Sequence, residues 1–323
     1  MIIVSMFDNF INNLKNGFRV ANATRKLVFK DKELFLYPII SAVIGIAMAV
    51  LVIGIGAAIF LTGAVAGLSG GQMALIVICL LILLYFLVYM VSSYFTIAML
   101  MAFRSYASGK KMGMAEALGR TAPYTKLIIE WSLFYTIIVT IIHIIEEAIR
   151  MLLSRYGIIG NVISGVLTGG INLALAASVA FAFPIILDEK KGPIATLKSS
   201  ISFIMKNFGD TFGGLLFAEI FEIILLLVGL GLIFLGIIVY AAYSIAIPAV
   251  ILAIIGIITI IAGVLLRYVL FNAFKLIIYD YKTRGTLPKG FDKSLIDASV
   301  KRKNNPKGSK PLSPFGIGTG GNI

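Results

Sequence analysis

Long apolar runs alternate along this chain with short stretches that hold nearly all of its lysine and arginine. The first run, Leu34 to Leu68, is too long for one untilted span and too short for two. It predicts a helix from about Leu34 to Phe60, then a small-residue exit into a turn at Ser69-Gly70-Gly71-Gln72. Met73 to Phe103 predicts a second helix, Leu127 to Ile145 a third, and Ile158 to Leu187 a fourth with a Gly/Ser/Thr-rich first half. Thr211 to Ile278 fits two long helices with a break near Ala241–Pro248. Each run meets the length of about 20 apolar residues that a membrane-spanning helix needs.

The basic residues sort these spans by side. Six lie before Leu34, five between Arg104 and Lys126, two between Glu146 and Gly157, four between Asp188 and Lys206, and ten from Lys275 onward. The turn after the first run and the break near Ala241–Pro248 hold none. Lysine and arginine collect in cytoplasmic loops. The alternation therefore predicts six spans in the cytoplasmic membrane with both termini cytoplasmic, whereas seven would place the basic tail outside.

A shorter pattern recurs before each pair of spans. FDNFINNLKNGFRVANATRKLVF, MAEALGRTAPYTK and IATLKSSISFIMKNF are each amphipathic, and the last two follow Lys110-Lys111 and Lys190-Lys191. Phe7, Ile11, Leu14, Phe18 and Ala21 share one helical face, as do Ile194, Leu197, Ile201, Ile204 and Phe208. The exits FRSYASGKK, PIILDEKKG and IIYDYKTRG also look alike. The chain thus reads as an all-α, polytopic helical bundle: three membrane hairpins, each preceded by a cytoplasmic amphipathic helix. Either an internal repeat or the shared constraints of membrane hairpins produces such a pattern. The expected organisation is an N-terminal amphipathic helix over 1–33, a six-helix domain over 34–279, a cytoplasmic segment over 280–300 and a disordered basic tail over 301–323.

Composition agrees: 59% of the 323 residues are hydrophobic and 13% charged, about half the charged share of a soluble domain. The formal charge of +13 points to anionic headgroups at the cytoplasmic face rather than to nucleic acid, with Lys15, Arg19, Lys110, Lys111, Lys190 and Lys191 as candidate headgroup contacts. One cysteine and one histidine exclude an internal disulfide and a His-based metal cluster. No Walker loop, GxSxG elbow or HExxH occurs. No catalytic residue and no cofactor is expected.

Charge inside the spans is the remaining candidate chemistry. Glu219 and Glu222 lie at i, i+3 on one face of the fifth span, and Arg267 lies at similar depth on the sixth. Arg267 is expected to pair with Glu219, or with both acids, with Glu222 the harder to reach. Glu222 aligns with His143 in the repeat, so Glu219, Glu222, Arg267 and His143 form a candidate intramembrane polar site. The plainer alternative is a protonated, hydrogen-bonded Glu222 and an interfacial His143 near Glu146 and Glu147.

Two motifs carry a resemblance. KDKELFLYPIISAVIG supplies Asp31, Glu33, Leu34 and Pro38, and IIYDYKTRGTLPKGFD supplies Tyr279, Tyr281, Gly285, Pro288, Gly290, Phe291 and Asp292. Over residues 7–303 the chain resembles an uncharacterised prokaryotic family of six-span membrane proteins. More loosely it looks like the membrane module of some glycerophosphodiester phosphodiesterases, without their catalytic His-Arg-Gly pattern. The resemblance implies topology and carries no activity. The expected function is non-enzymatic organisation of lipid or of a partner. A small transporter or proton-coupled permease built on Glu219, Glu222, Arg267 and His143 is the alternative, and a protein partner or homo-oligomer is left open.

Overall fold

The computed structural model describes residues 17–62, 67–289 and 291, with the backbone alone for 208–218. Lys15, residues 7–16 of the first amphipathic stretch and the basic tail lie outside the described residues. The helices are α1 (17–28), α2 (Leu36–Leu61), α3 (Gly70–Ala107), α4 (Met114–Thr121), α5 (Thr125–Ser154), α6 (Gly157–Val179), α7 (Ala182–Glu189), α8 (Pro193–Lys206), α9 (Phe208–Tyr243) and α10 (Ala246–Arg284). No strand occurs among the described residues. Six helical segments are long and apolar enough to cross a membrane. The protein is an all-α polytopic bundle in which α2–α3, α5–α6 and α9–α10 each form a hairpin.

Local sequence explains the turns. Ser69 caps α3 by accepting from the Gln72 N–H at 3.3 Å, while the Gln72 side chain accepts from the Ser69 N–H at 2.9 Å. The break between α9 and α10 falls at Ser244-Ile245, within the predicted interval. The fourth run is not one helix, because α6 ends at Val179 and α7 restarts at Ala182. Pro184 has no N–H for the Ala180 carbonyl and its ring crowds that group. The Phe181 N–H is instead met by Ser200 Oγ at 3.1 Å. The third helix runs past Ile145 to Ser154, because its late charges are partnered: Glu147 pairs with Arg150 at 3.1 Å and Glu146 bonds Asn172.

Packing is uneven along the bundle. The buried core, including Leu34, Tyr37, Phe103, Trp131, Phe181 and Phe274, gathers at the end that carries α1, α4 and α8. Beyond it the outer halves of the hairpins present exposed apolar side chains such as Leu51, Leu81, Ile163, Leu227 and Ile258, as spans facing acyl chains do. Near mid-span, hydroxyls hold α3, α5 and α10 together. Trp131 Nε1 donates to Tyr89 Oη at 3.2 Å, and Tyr268 Oη meets both Ser92 Oγ and Thr96 Oγ1.

Of the face predicted for the first amphipathic stretch, Phe18 and Ala21 lie within the described residues; Ala21 is buried and Phe18 half-buried. In α1 the buried positions Val20, Ala21, Thr24 and Val28 face the core, and Arg19 and Lys26 are exposed. In α8 the buried residues are Thr196, Ser200 and Ile204, whereas Ile194 is exposed. The inward face is therefore rotated from the one that Ile194, Leu197 and Ile201 define. The small hydroxyl residues face in because they fit against α7 and bond its backbone: Ser200 serves Phe181, and Thr196 Oγ1 donates to the Lys191 carbonyl at 3.1 Å. The last helix, α10, continues past residue 279 to Arg284. After Gly285, in the left-handed region at φ 65°, the chain folds back and the Lys289 N–H bonds the Ala107 carbonyl at 2.8 Å.

Candidate functional site

Both intramembrane acids converge on Arg267. Its Nη2 lies 2.5 Å from Glu219 Oε1, and its Nε lies 2.7 Å from Glu222 Oε2. Glu222 is thus reached fully, contrary to the expectation that it is the more distant partner. Gly263 explains the reach. It lies one turn before Arg267, and a Cβ there would stand 2.9 Å from Leu225 Cβ, so the two helices close tightly at this level. Two carboxylates thus share one guanidinium, which also lies 5.4 Å from the Phe271 ring.

His143 does not join this triad. It sits on α5 with its Nδ1 3.2 Å from Glu146 Oε2, and Glu146 Oε1 accepts from Asn172 Nδ2 on α6. The polar group linking α5 to α6 is thus local to that hairpin. The four-residue intramembrane site splits into two separate clusters.

The candidate headgroup residues divide as well. Lys111 is tied to Glu33 at 2.6 Å, which holds its ammonium above its ordinary range. Lys191 is tied to Glu189 at 2.5 Å. Lys190 lies 5.2 Å from the Tyr124 ring. Arg19 lines an open groove of about 350 Å³ with Lys26, Lys30 and Lys289, and among the described residues no carboxylate lines it. Lys110 lines a second cavity of about 620 Å³ beside Arg104, Arg120, Arg284 and Asp188. Two of the five described candidates are therefore occupied by acids, and two face open cavities.

The centre of this end of the bundle is a cluster that the sequence reading missed. Arg104 closes α3, Asp188 closes α7, and Asp280 lies in the last turns of α10. Arg104 forks onto Asp280, Nε to Oδ2 at 2.9 Å and Nη2 to Oδ1 at 2.6 Å, and its Nη1 reaches Asp188 Oδ1 at 2.6 Å. Arg284 adds a second cation to the same Asp188 oxygen at 2.7 Å. The other oxygen, Asp188 Oδ2, is buried without a hydrogen-bond partner among the described residues. The signal was present in the three similar exits, FRSYASGKK, PIILDEKKG and IIYDYKTRG. Each places one charged residue just past its apolar run: Arg104, Asp188 and Asp280. The signs are complementary, and the three spans end side by side.

No protein-family model, no curated protein and no solved structure matches the chain. The geometry therefore carries the functional reading. Among the described residues no three His, Cys, Asp or Glu side chains gather as a metal site would require. The chemistry this end offers is recognition of anions by fixed guanidinium and ammonium groups.

Proposed function

We propose that the protein is a non-enzymatic multi-pass protein of the cytoplasmic membrane, both termini cytoplasmic, that organises anionic phospholipid with its basic end. The observation that carries this reading is the groove lined by Arg19, Lys26, Lys30 and Lys289, with no carboxylate among the described residues that line it. Cations left without acids at the mouth of a membrane bundle attract phosphate, at about 1 kcal/mol for each basic residue near an anionic surface. The surroundings support it. Exposed Ile194 and Met205 on α8, beside its lysines, suit a helix lying at headgroup level.

The intramembrane charges supply a second reading. Two carboxylates share one guanidinium, and a second acid at one cation suits a proton-coupled permease. Its signature is proton flux in proteoliposomes that Glu222→Gln abolishes with the fold intact. The lipid reading predicts no flux above empty vesicles.

Native mass spectrometry after gentle extraction tests the leading reading. Retained phospholipid at fixed stoichiometry is expected. A bare polypeptide, or a retained protein partner without lipid, would overturn it.

A further inference from the structure

The groove beside α1 has two cationic walls. Arg19, Lys26 and Lys30 follow i, i+7, i+11 and share one helical face. Lys30 stays in line just past the end of α1: the Phe29 N–H still bonds the Arg25 carbonyl at 3.0 Å, and the Lys30 N–H bonds the Leu27 carbonyl at 3.2 Å. Val20, Ala21, Thr24 and Val28 occupy the opposite, buried face. Packing of that face against the core turns the three cations outward, and all three are exposed. At 1.5 Å per residue the row is about 16 Å long.

Lys289 supplies the second wall. Its N–H is pinned to the Ala107 carbonyl at 2.8 Å, and the Phe291 N–H closes a turn onto the Pro288 carbonyl at 3.1 Å. The Lys289 side chain lies over Gly109, where a Cβ would stand 2.8 Å from its Cδ and 2.9 Å from its Nζ. Gly109 also sits at φ 85°, so glycine serves this turn both by its conformation and by the space it leaves. Lys289 is exposed too, which leaves all four cations open to a ligand.

Four cations on two walls exceed what one phosphodiester, with its single negative charge, balances. A headgroup with two phosphates matches them better, and basic pockets at this level of a membrane protein suit such headgroups. The membrane is the nearer source. Leu27 and Phe291 line the groove with the cations, Phe29 beside Lys30 is exposed, and the first span begins two residues after Lys30, at Lys32. Acyl chains attached to a headgroup in the groove therefore have apolar surface to follow.

We propose that this groove binds one diphosphatidylglycerol, a phospholipid with two phosphates bridged by glycerol, its phosphates held between the α1 row and Lys289. The proposal rests on the lipid-organising reading and names the lipid of that same groove.

The test uses the full chain, purified in detergent, stripped of lipid and titrated under native mass spectrometry. The probes are tetraoleoyl diphosphatidylglycerol, dioleoyl phosphatidylglycerol compared at equal phosphate, and bis(glycerophospho)glycerol, the bridged headgroup without chains. One equivalent of diphosphatidylglycerol is expected to bind at least about tenfold more tightly than phosphatidylglycerol, because the bridge makes the second phosphate contact intramolecular. Lys289→Gln is expected to weaken it several-fold with unchanged thermal unfolding. Lys126→Gln, which removes the same charge from the exposed start of α5, is expected to leave it unchanged. Equal affinity for the two lipids at equal phosphate, uptake without saturation at one equivalent, or equal losses in the two variants would each overturn the proposal. Binding of the bare headgroup as tightly as of the lipid would overturn its assignment to the membrane. Should the two lipids bind alike while the gently extracted protein still retains anionic phospholipid, this proposal alone falls; a bare extracted polypeptide removes the reading on which it rests.

Discussion

Arg104 and Asp280 meet as a two-pronged pair, Nε to Oδ2 at 2.9 Å and Nη2 to Oδ1 at 2.6 Å, between the ends of α3 and α10. With Asp188 this pair joins the ends of α3, α7 and α10. The side chains are mostly buried, with 23% of Arg104 and 14% of Asp280 exposed. Removing one member strands the others. Arg104→Ala is expected to cost about 3 kcal/mol, the lower part of the range for a broken buried pair. Arg104→Lys keeps the charge but loses the fork and should recover only part of that loss. Unfolding in mixed micelles of increasing SDS measures both, and a Lys variant as stable as wild type would show that the fork geometry contributes nothing.

The Arg267 triad makes a separable prediction. Arg267→Ala leaves two carboxylates in the membrane without a cation, a costly state. It should destabilise by about 2–4 kcal/mol, and adding Glu219→Gln and Glu222→Gln should restore most of that. Glu222→Gln alone should change stability by under about 1 kcal/mol, because Glu219 still holds the guanidinium. The same SDS titration reports it; a triple variant no more stable than Arg267→Ala would refute the pairing.

Small residues act where helices touch, and not wherever a GxxxG spacing occurs. A Cβ on Gly256 would stand 2.5 Å from the Gly229 carbonyl oxygen and 2.7 Å from Ile233 Cγ1. Backbone cannot step aside cheaply, so Gly256→Ala should cost about 1–3 kcal/mol by prising α9 from α10. Gly165 and Gly169 match GxxxG on α6, yet nothing lies within 4 Å of a Cβ at either. Gly165→Ala should be neutral or stabilising by up to about 1 kcal/mol. Measuring the two variants side by side separates contact from motif.

Asp31 gives a pH dependence. Burial pushes its carboxyl above the usual range, partly offset by the Glu33 N–H. A carboxyl whose folded pKa is raised favours the fold when protonated, and that contribution is lost as pH rises through the folded value. Asp31→Asn keeps the acceptor and removes the charge. It should raise the melting temperature at pH 7.5, an illustrative neutral condition at about which the carboxyl is ionised, and the gain should shrink as pH falls toward about 4. A gain that grows on acidification would contradict the assignment.

The three hairpins and the Ser244 break were legible because long apolar runs act locally. The Glu219–Arg267 pair was legible because equal depth in an antiparallel hairpin is simple counting. The rotated face of α8 was not, since hydrophobicity ranks Ile194 above Ser200 and cannot register that the Phe181 N–H needs an acceptor. His143 was grouped with Glu222 by repeat alignment, but alignment places equivalent positions on different hairpins and does not bring them together. The Arg104, Asp188 and Asp280 cluster was missed for a related reason. The three exits were compared for likeness, whereas it is their difference in charge that joins them.

The central claim is that the basic end gathers anionic lipid. The most direct measurement is the lipid composition of polymer nanodiscs cut from the native membrane around the protein, wild type against a variant with Arg19, Lys26, Lys30 and Lys289 all changed to Gln. The account predicts anionic lipid enriched severalfold over the bulk membrane in wild type, falling to the bulk value in the variant. Wild-type nanodiscs of bulk composition, or equal enrichment in the variant, would contradict it.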